Sequence, residues 1–190
     1  MEAQPQTEVM FCGFGGQGIM LIGQMLAYAG MNEGKNVVWL PSYGPEMRGG
    51  TAYCTVVVSP DRDIASPIID RPGCIAVLNR PSLDKFDSKV RKGGLIIINS
   101  SLIDVSSKRD DLKKLHVPAN KIALECGTGK ATNMAILGAY VGYTKAVELD
   151  SLFPLVRMQF EKKPQFIDVN NNVLRRGYEI GAEAAEEQAA

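Results

Sequence analysis

The sequence predicts a three-layer α/β/α domain with a mostly parallel, partly mixed sheet. Two observations lead to this fold class. Short apolar runs alternate with segments of helical periodicity, and 45% of the 190 residues are hydrophobic, enough to cover both faces of one sheet. The sequence contains neither an internal repeat nor a linker, so residues 1–190 are expected to form a single domain. Residues 182–190 have little to bury and are expected to fray.

Six short apolar runs bounded by turn residues predict strands. They are residues 8–12, 36–40, 51–59, 74–79, 95–100 and 121–126. The connection at residues 41–50 is rich in proline and glycine, and it is too short for a parallel crossover. We therefore expect part of the sheet to be antiparallel, or the second and third strands not to be neighbours.

Apolar residues at helical spacing predict the helices. These cover residues 18–30, 81–90, 106–116 and the chain from Met134 onwards. Gly30 and the following turn end the first helix, and breaks are expected near Asp150 and at residues 162–164.

Charge and cysteine content exclude several classes of function. Basic and acidic residues number 21 each, so the composition supports neither a nucleic-acid partner nor a membrane partner. No apolar run approaches the roughly 18 residues of a membrane span, and the polar start differs from a secretory signal, so a cytoplasmic protein is expected. The four cysteines form no CxxC pair; no metal site is predicted, and the cysteines are interpreted as buried hydrophobes.

A glycine-rich loop, Gly13-x-Gly15-x-x-Gly18, lies between the first predicted strand and helix in a Rossmann-like arrangement. Such a loop lets an anion approach backbone amides and the positive end of a helix. A purely structural tight turn is the alternative. A nicotinamide or flavin site also needs an acidic residue after the second strand, but that strand ends in Leu40 and Pro41.

Two further loops carry polar residues. The loop GTGK at residues 127–130 lacks P-loop spacing, but Lys130 and the nearby Asn133 are suited to contact a phosphate at the same sheet edge. A solvated lysine is the alternative. The loop PSYGPEMRGG at residues 41–50 is expected to contact a ligand or a partner, although Arg48 pairing with Glu46 remains open.

Together, GFGGQGIM and the later PSYGPEMRGG resemble the gamma subunit of the 2-oxoacid:ferredoxin oxidoreductases. The resemblance continues through DIASP at residues 63–67, CIAVLN, GTGKATNMAILGAYVG and FEKKP, and covers most of the chain. The SYGPE form is more similar to the branch acting on 2-oxoglutarate than to the pyruvate branch. Gamma subunits for branched-chain and aryl 2-oxoacids share the same scaffold.

The resemblance implies a subunit that is inactive alone, within a complex that converts 2-oxoglutarate to succinyl-CoA and reduces ferredoxin. Thiamine diphosphate, magnesium and iron-sulfur clusters are then expected on partner alpha, beta and ferredoxin-like delta subunits. The isolated chain is a candidate homodimer. No catalytic residue is assigned to this chain.

The resemblance also implies a coenzyme A site on the glycine loop. The residues expected there are Gly13, Gly15, Gly16, Gln17, Gly18 and Asn133, with Lys130 added on electrostatic grounds. Tyr43, Glu46 and Arg48 are expected at the substrate or at a subunit interface. Two other functions stay open: a purely architectural subunit, and a free-standing oxidoreductase domain that binds NAD or FAD.

Overall fold

The computed structural model describes residues 6–43, 50–66 and 68–189, with backbone alone for Tyr43 and Ala189. Within these ranges six strands form one sheet in the order β2-β3-β1-β4-β5-β6. They are β1 (Thr7–Phe14), β2 (Asn36–Tyr43), β3 (Thr51–Ser59), β4 (Cys74–Val77), β5 (Leu95–Asn99) and β6 (Lys113–Val117). Strand β3 is antiparallel to both of its neighbours, whereas β1, β4, β5 and β6 are parallel.

Six α-helices accompany the sheet in the same ranges. They are α1 (Ile19–Asn32), α2 (Arg80–Phe86), α3 (Ala119–Glu125), α4 (Thr132–Thr144), α5 (Phe153–Gln159) and α6 (Ile167–Ala189). Short 3₁₀ helices at Leu149–Ser151 and Pro164–Phe166 mark the two breaks that the sequence predicts. Helix α6 continues to Ala189, and the fraying of residues 182–190 stays a prediction, with Ala190 outside the described residues.

The sheet separates two hydrophobic cores of unequal size, because side chains alternate along each strand. Val9 and Phe11 of β1 pack with α1, α3, α4, α5 and α6. Met10 and Cys12 point to the other face, where Phe86 of α2 covers the sheet. The three-layer α/β/α fold with a mostly parallel, partly mixed sheet is therefore confirmed.

Two predicted elements are wrong. Residues 106–116 do not form a helix, because Lys113–Val117 is the edge strand β6, with Leu115 and Val117 buried and His116 exposed. The leucines at 112 and 115 also fit the three-residue spacing of a helix. The helical pattern and the alternating pattern of a strand are therefore hard to separate in this segment. Lysines on an edge strand discourage pairing with another sheet.

The predicted strand at residues 121–126 is also wrong, because Ala119–Glu125 is the helix α3. Its buried residues, Ala119, Ile122 and Ala123, follow helical spacing, whereas Leu124 is 66% exposed. The loop that contains Lys130 thus joins two helices rather than a strand and a helix.

Helices α4 and α6 touch through their backbones. A Cβ at Gly142 would collide with the carbonyl oxygen of Tyr178, and one at Gly181 would collide with that of Ala139. Contacts advance along both helices together, since Ala135 lies against Gly177 as Ala139 lies against Gly181. The two helices are therefore parallel, and glycine permits their close approach.

We predict that Gly142→Ala lowers the free energy of unfolding by about 2 kcal/mol or more, because the added methyl must push two backbones apart. Alanine is intrinsically the better helix residue by about 1 kcal/mol, so a loss of stability must come from the clash. Denaturant unfolding measures the free energy of unfolding of each variant. Gly129→Ala is the control, since the nearest atom to its Cβ is Leu124 Cδ2 at 3.8 Å. Equal stability of the two variants would contradict the backbone contact.

Candidate functional site

A cavity of about 520 Å³ opens at the carboxyl ends of the parallel strands. Its walls include residues 16–18 after β1, Leu78 after β4, Leu102 after β5 and Asn120 after β6. The opposite wall comes from the helical layer, including Lys130. Open α/β sheets bind ligands at this edge, so the cavity is the candidate site.

Two glycines of the loop after β1 adopt left-handed backbone conformations, with φ of 100° at Gly16 and 74° at Gly18. Gly16 is exposed, and no described atom lies within 4 Å of the position that its Cβ would take. Gly18 is the N-cap of α1, which has no side-chain cap. The positive end of α1 thus lies beside an open main chain, a suitable setting for an anion.

The Gln17 side chain supports the loop from within. Its Oε1 accepts hydrogen bonds from the Phe14 backbone N–H at 2.6 Å and from Asn79 Nδ2 at 2.9 Å. Both partners are donors, so the orientation of the amide is fixed and Nε2 is left on the other side. Asn79 in turn caps α2 by accepting from the Ser82 N–H at 2.9 Å. Gln17 therefore joins the loops that follow β1 and β4.

Asn133 connects the second predicted loop to the first. Its Nδ2 donates to the Gly18 carbonyl oxygen at 3.2 Å, and the residue is 6% exposed. Lys130 is exposed, and within the described residues its side chain has no ion-pair partner. The structure brings five predicted site residues to one cavity: Gly16, Gln17, Gly18, Lys130 and Asn133.

Gly13 and Gly15 lie behind the cavity wall. Gly13 is buried in β1, where a Cβ would approach Gln17 Oε1 to 2.7 Å. The Gly15 N–H donates to the Gly50 carbonyl at 3.1 Å and so ties the loop to the residue before β3. Packing accounts for Gly13, and a backbone hydrogen bond holds Gly15 in place. Contact of either glycine with a ligand stays a prediction.

The remaining predicted residues lie in or next to the β2–β3 connection. The Tyr43 backbone pairs with Ala52 at the end of β2, but its side chain is outside the described residues. Glu46 and Arg48 also lie outside them. Substrate or interface contact by these three residues stays a prediction.

The sheet order differs from an ordinary dinucleotide site. Strand β3 lies between β1 and β2, which separates the end of β2 from the glycine loop by about 10 Å. Glu33, before β2, lies at the opposite end of that strand and pairs with Lys35 at 2.7 Å. Burial alone would raise the pKa of the Glu33 carboxyl, but hydrogen bonds from Lys35 and Ser151 help to hold that pKa below its ordinary value.

Asn170, Asn120 and Phe160 also line the cavity, and sequence analysis missed all three. Asn170 had a usable signal. It precedes Val173 and Leu174 at helical spacing, so a polar residue falls on the buried face of α6. Buried polar residues of this kind are worth examining as site residues.

The described residues contain no group of three or more metal-ligating side chains. In the same part of the chain, no helix has the length and apolar character of a membrane span. Burial raises the pKa of the Cys54 thiol to about 12 and also raises the pKa values of Cys12 and Cys74. Protonated, buried thiols are poor nucleophiles and ligands, so these three cysteines serve as core residues.

The sequence is similar to subunits of known enzymes. Residues 8–180 match the family described as pyruvate ferredoxin/flavodoxin oxidoreductase. Ketoisovalerate oxidoreductase subunit VorA of Methanothermobacter marburgensis is 41% identical over 174 residues, covering 90% of this chain and 36% of VorA. The 2-oxoglutarate synthase subunit KorC of Methanocaldococcus jannaschii is 30% identical over 181 residues, covering 94% of this chain and 95% of KorC. The chain thus spans little more than a third of VorA.

Solved structures share the fold. The gamma subunit of a keto/oxoacid ferredoxin oxidoreductase from Geobacter sulfurreducens PCA has a TM-score of 0.79 and 25% identity, covering 93% of this chain and 99% of that one. The 2-oxoglutarate:ferredoxin oxidoreductase from Magnetococcus marinus, with 2-oxoglutarate, coenzyme A and succinyl-CoA bound, has a TM-score of 0.85. It is 19% identical and covers 94% of this chain and 31% of that one, so it shows the fold alone. The resemblance to gamma subunits is confirmed.

We predict that Gln17→Ala lowers the free energy of unfolding by about 1–3 kcal/mol, because two partly buried donors lose their acceptor. Gln17→Glu keeps an acceptor oxygen for both donors and is expected to retain most of the stability. Denaturant unfolding of both variants tests this. Gln24→Ala is the control, since that side chain makes an exposed hydrogen bond to Tyr28. A Gln17→Ala variant as stable as the control would contradict the internal role.

Proposed function

The chain belongs to the pyruvate ferredoxin/flavodoxin oxidoreductase family, and we propose that it acts there as a gamma subunit that binds coenzyme A. The assembled enzyme oxidatively decarboxylates a 2-oxoacid, forms its coenzyme A thioester and reduces ferredoxin. One observation carries the coenzyme proposal. Gly16, the side-chain nitrogen Nε2 of Gln17 and the Lys130 ammonium group converge on one cavity beside the positive end of α1.

This donor set suits the phosphates of coenzyme A. Backbone N–H groups at a helix start bind phosphate without a side chain, and a lysine adds a point charge. Gln17 Nε2 offers two neutral donors, since its oxygen is engaged within the chain. The protein as a whole is neutral, so attraction of the anion is local to the cavity.

Bound coenzyme A supplies the thiol that accepts the acyl group. In this proposal, thiamine diphosphate, magnesium and the iron-sulfur clusters belong to partner alpha, beta and delta subunits. Residues of this chain hold the phosphates, orient the coenzyme and cover the reacting site. Positioning of this kind contributes several kcal/mol, roughly 7–11 in favourable cases, to lowering a barrier.

Two substrates are candidates. 2-Oxoglutarate is favoured by the SYGPE motif and by the similarity to KorC along nearly the whole of both chains. Ketoisovalerate is favoured by the higher identity to VorA, which is 41%.

Binding is tested by calorimetric titration of the full chain with coenzyme A. We expect Lys130→Ala to weaken binding roughly three- to tenfold, and Gln17→Glu to weaken it further because a carboxylate replaces amide donors beside the phosphates. Lys121→Ala removes an exposed lysine that does not line the cavity and is the control. NAD and FAD are not expected to bind. Unchanged affinity in both cavity variants would favour the architectural alternative.

The substrate is tested on the complex copurified with this chain. Ferredoxin reduction is measured with coenzyme A and each of 2-oxoglutarate, ketoisovalerate and pyruvate. We expect 2-oxoglutarate to give the highest kcat/KM, and a preference for ketoisovalerate would decide for the second candidate. Failure of the complex to oxidise any 2-oxoacid would contradict the proposed reaction.

A further inference from the structure

Two buried carboxamides, Asn133 and Asn170, line the cavity that the proposed function assigns to coenzyme A. They are 6% and 5% exposed. Asparagine is seldom buried to this degree unless its polar atoms are engaged. Their hydrogen bonds therefore show what each side chain still offers to a ligand.

Each amide nitrogen uses one of its two N–H groups in a hydrogen bond within the protein. Asn170 Nδ2 donates to the Phe166 carbonyl oxygen at 2.7 Å, and Asn133 Nδ2 donates to the Gly18 carbonyl oxygen at 3.2 Å. A carbonyl oxygen only accepts, so neither amide can be flipped without losing its bond. Each Oδ1 atom is consequently directed away from the backbone that holds its nitrogen.

Within the described residues, neither Oδ1 atom accepts a hydrogen bond from the protein. Neither oxygen is among the fully buried atoms that lack a partner, so each keeps accessible surface in a residue that is otherwise buried. Since both residues line the cavity, an N–H or O–H of a bound molecule can donate to these oxygens. The two oxygens thus form an acceptor set, whereas Gln17 Nε2 and Lys130 form a donor set.

We infer that Asn170, together with Asn133, is a specificity residue that reads an N–H group of the bound ligand. The inference rests on the proposed function and adds which part of the ligand, besides its phosphates, the cavity recognises. The ligand must join an anionic group to an N–H donor, and a simple phosphate lacks the second part. Coenzyme A has such donors in the amides of its pantetheine arm and in the amino group of its adenine.

Asparagine suits this task better than aspartate. A carboxylate would accept the same N–H, but its charge would repel the phosphates that the glycine loop attracts. The two amide oxygens are neutral, so they can accept a hydrogen bond from the ligand without repelling its phosphates. Asn170 is the cleaner position to test, because Asn133 also holds the glycine loop.

The test titrates the full chain by calorimetry with four probes. Coenzyme A carries every group, 3′,5′-adenosine diphosphate carries adenine and phosphates, pantetheine carries the amides, and pyrophosphate has no N–H. We expect Asn170→Ala to weaken coenzyme A binding roughly three- to tenfold, the effect of one neutral hydrogen bond, while leaving pyrophosphate binding unchanged. If Asn170→Ala weakens binding of adenosine diphosphate, the N–H belongs to the adenine. If it weakens binding of pantetheine, the N–H belongs to an amide of the pantetheine arm.

Two further variants separate recognition from folding. Asn170→Ser lets the hydroxyl donate to the carbonyl four residues back, and so retains the bond to Phe166 while withdrawing the acceptor from the cavity. Asn172→Ala makes a similar change on the exposed side of α6 and is expected to alter no affinity.

The outcomes are distinguishable. If the wild-type chain binds coenzyme A but Asn170→Ser binds it equally well, the inference is overturned while the proposed function stands. Equal weakening of pyrophosphate also overturns it, because the effect is then structural. If the wild-type chain binds no coenzyme A, the proposed function fails, and the N–H assignment fails with it.

Discussion

The close parallel contact between α4 and α6 determines where the polar groups of the cavity lie. Gly142 and Gly181 allow the two backbones to touch, and the register of the contact leaves no freedom for one helix to slide past the other. Asn133 is near the start of α4 and Asn170 is near the start of α6. Because the helices are parallel, both asparagines reach the same end of the molecule, beside the carboxyl ends of the strands.

The residues of the glycine loop divide between contacts within the protein and the proposed ligand site. Gly13 and the Gln17 oxygen are used by the protein itself, through packing and through hydrogen bonds to Phe14 and Asn79. Gly16 is open, and the Gln17 nitrogen remains available in the described structure. Internal bonding and ligand binding are therefore not competing explanations of the motif. The internal bonds fix the shape of the loop, and the proposed anion would meet the groups that those bonds leave free.

Much of the fold could be predicted from the sequence, and the failures have a common cause. Long periodic segments such as α1 and the buried strands gave unambiguous patterns. Strand β6 and helix α3 contain five and seven residues, and in so few positions a spacing of two and a spacing of three or four are hard to tell apart. In the site, the glycines and Lys130 stood out locally. Asn170 gave only the weaker signal of a polar residue on the apolar face of α6, because its place in the cavity depends on a helix contact that only the tertiary structure reveals.

The antiparallel strand β3 has a consequence for how a long ligand can lie. Its insertion beside β1 breaks the row of parallel strand ends on the β2 side, whereas the row continues without interruption through β4 to β6. A ligand of the proposed kind, anchored at the glycine loop, would therefore have parallel strand ends beside it in one direction only, towards β6. The asymmetry of the sheet would then set the direction in which a long ligand lies.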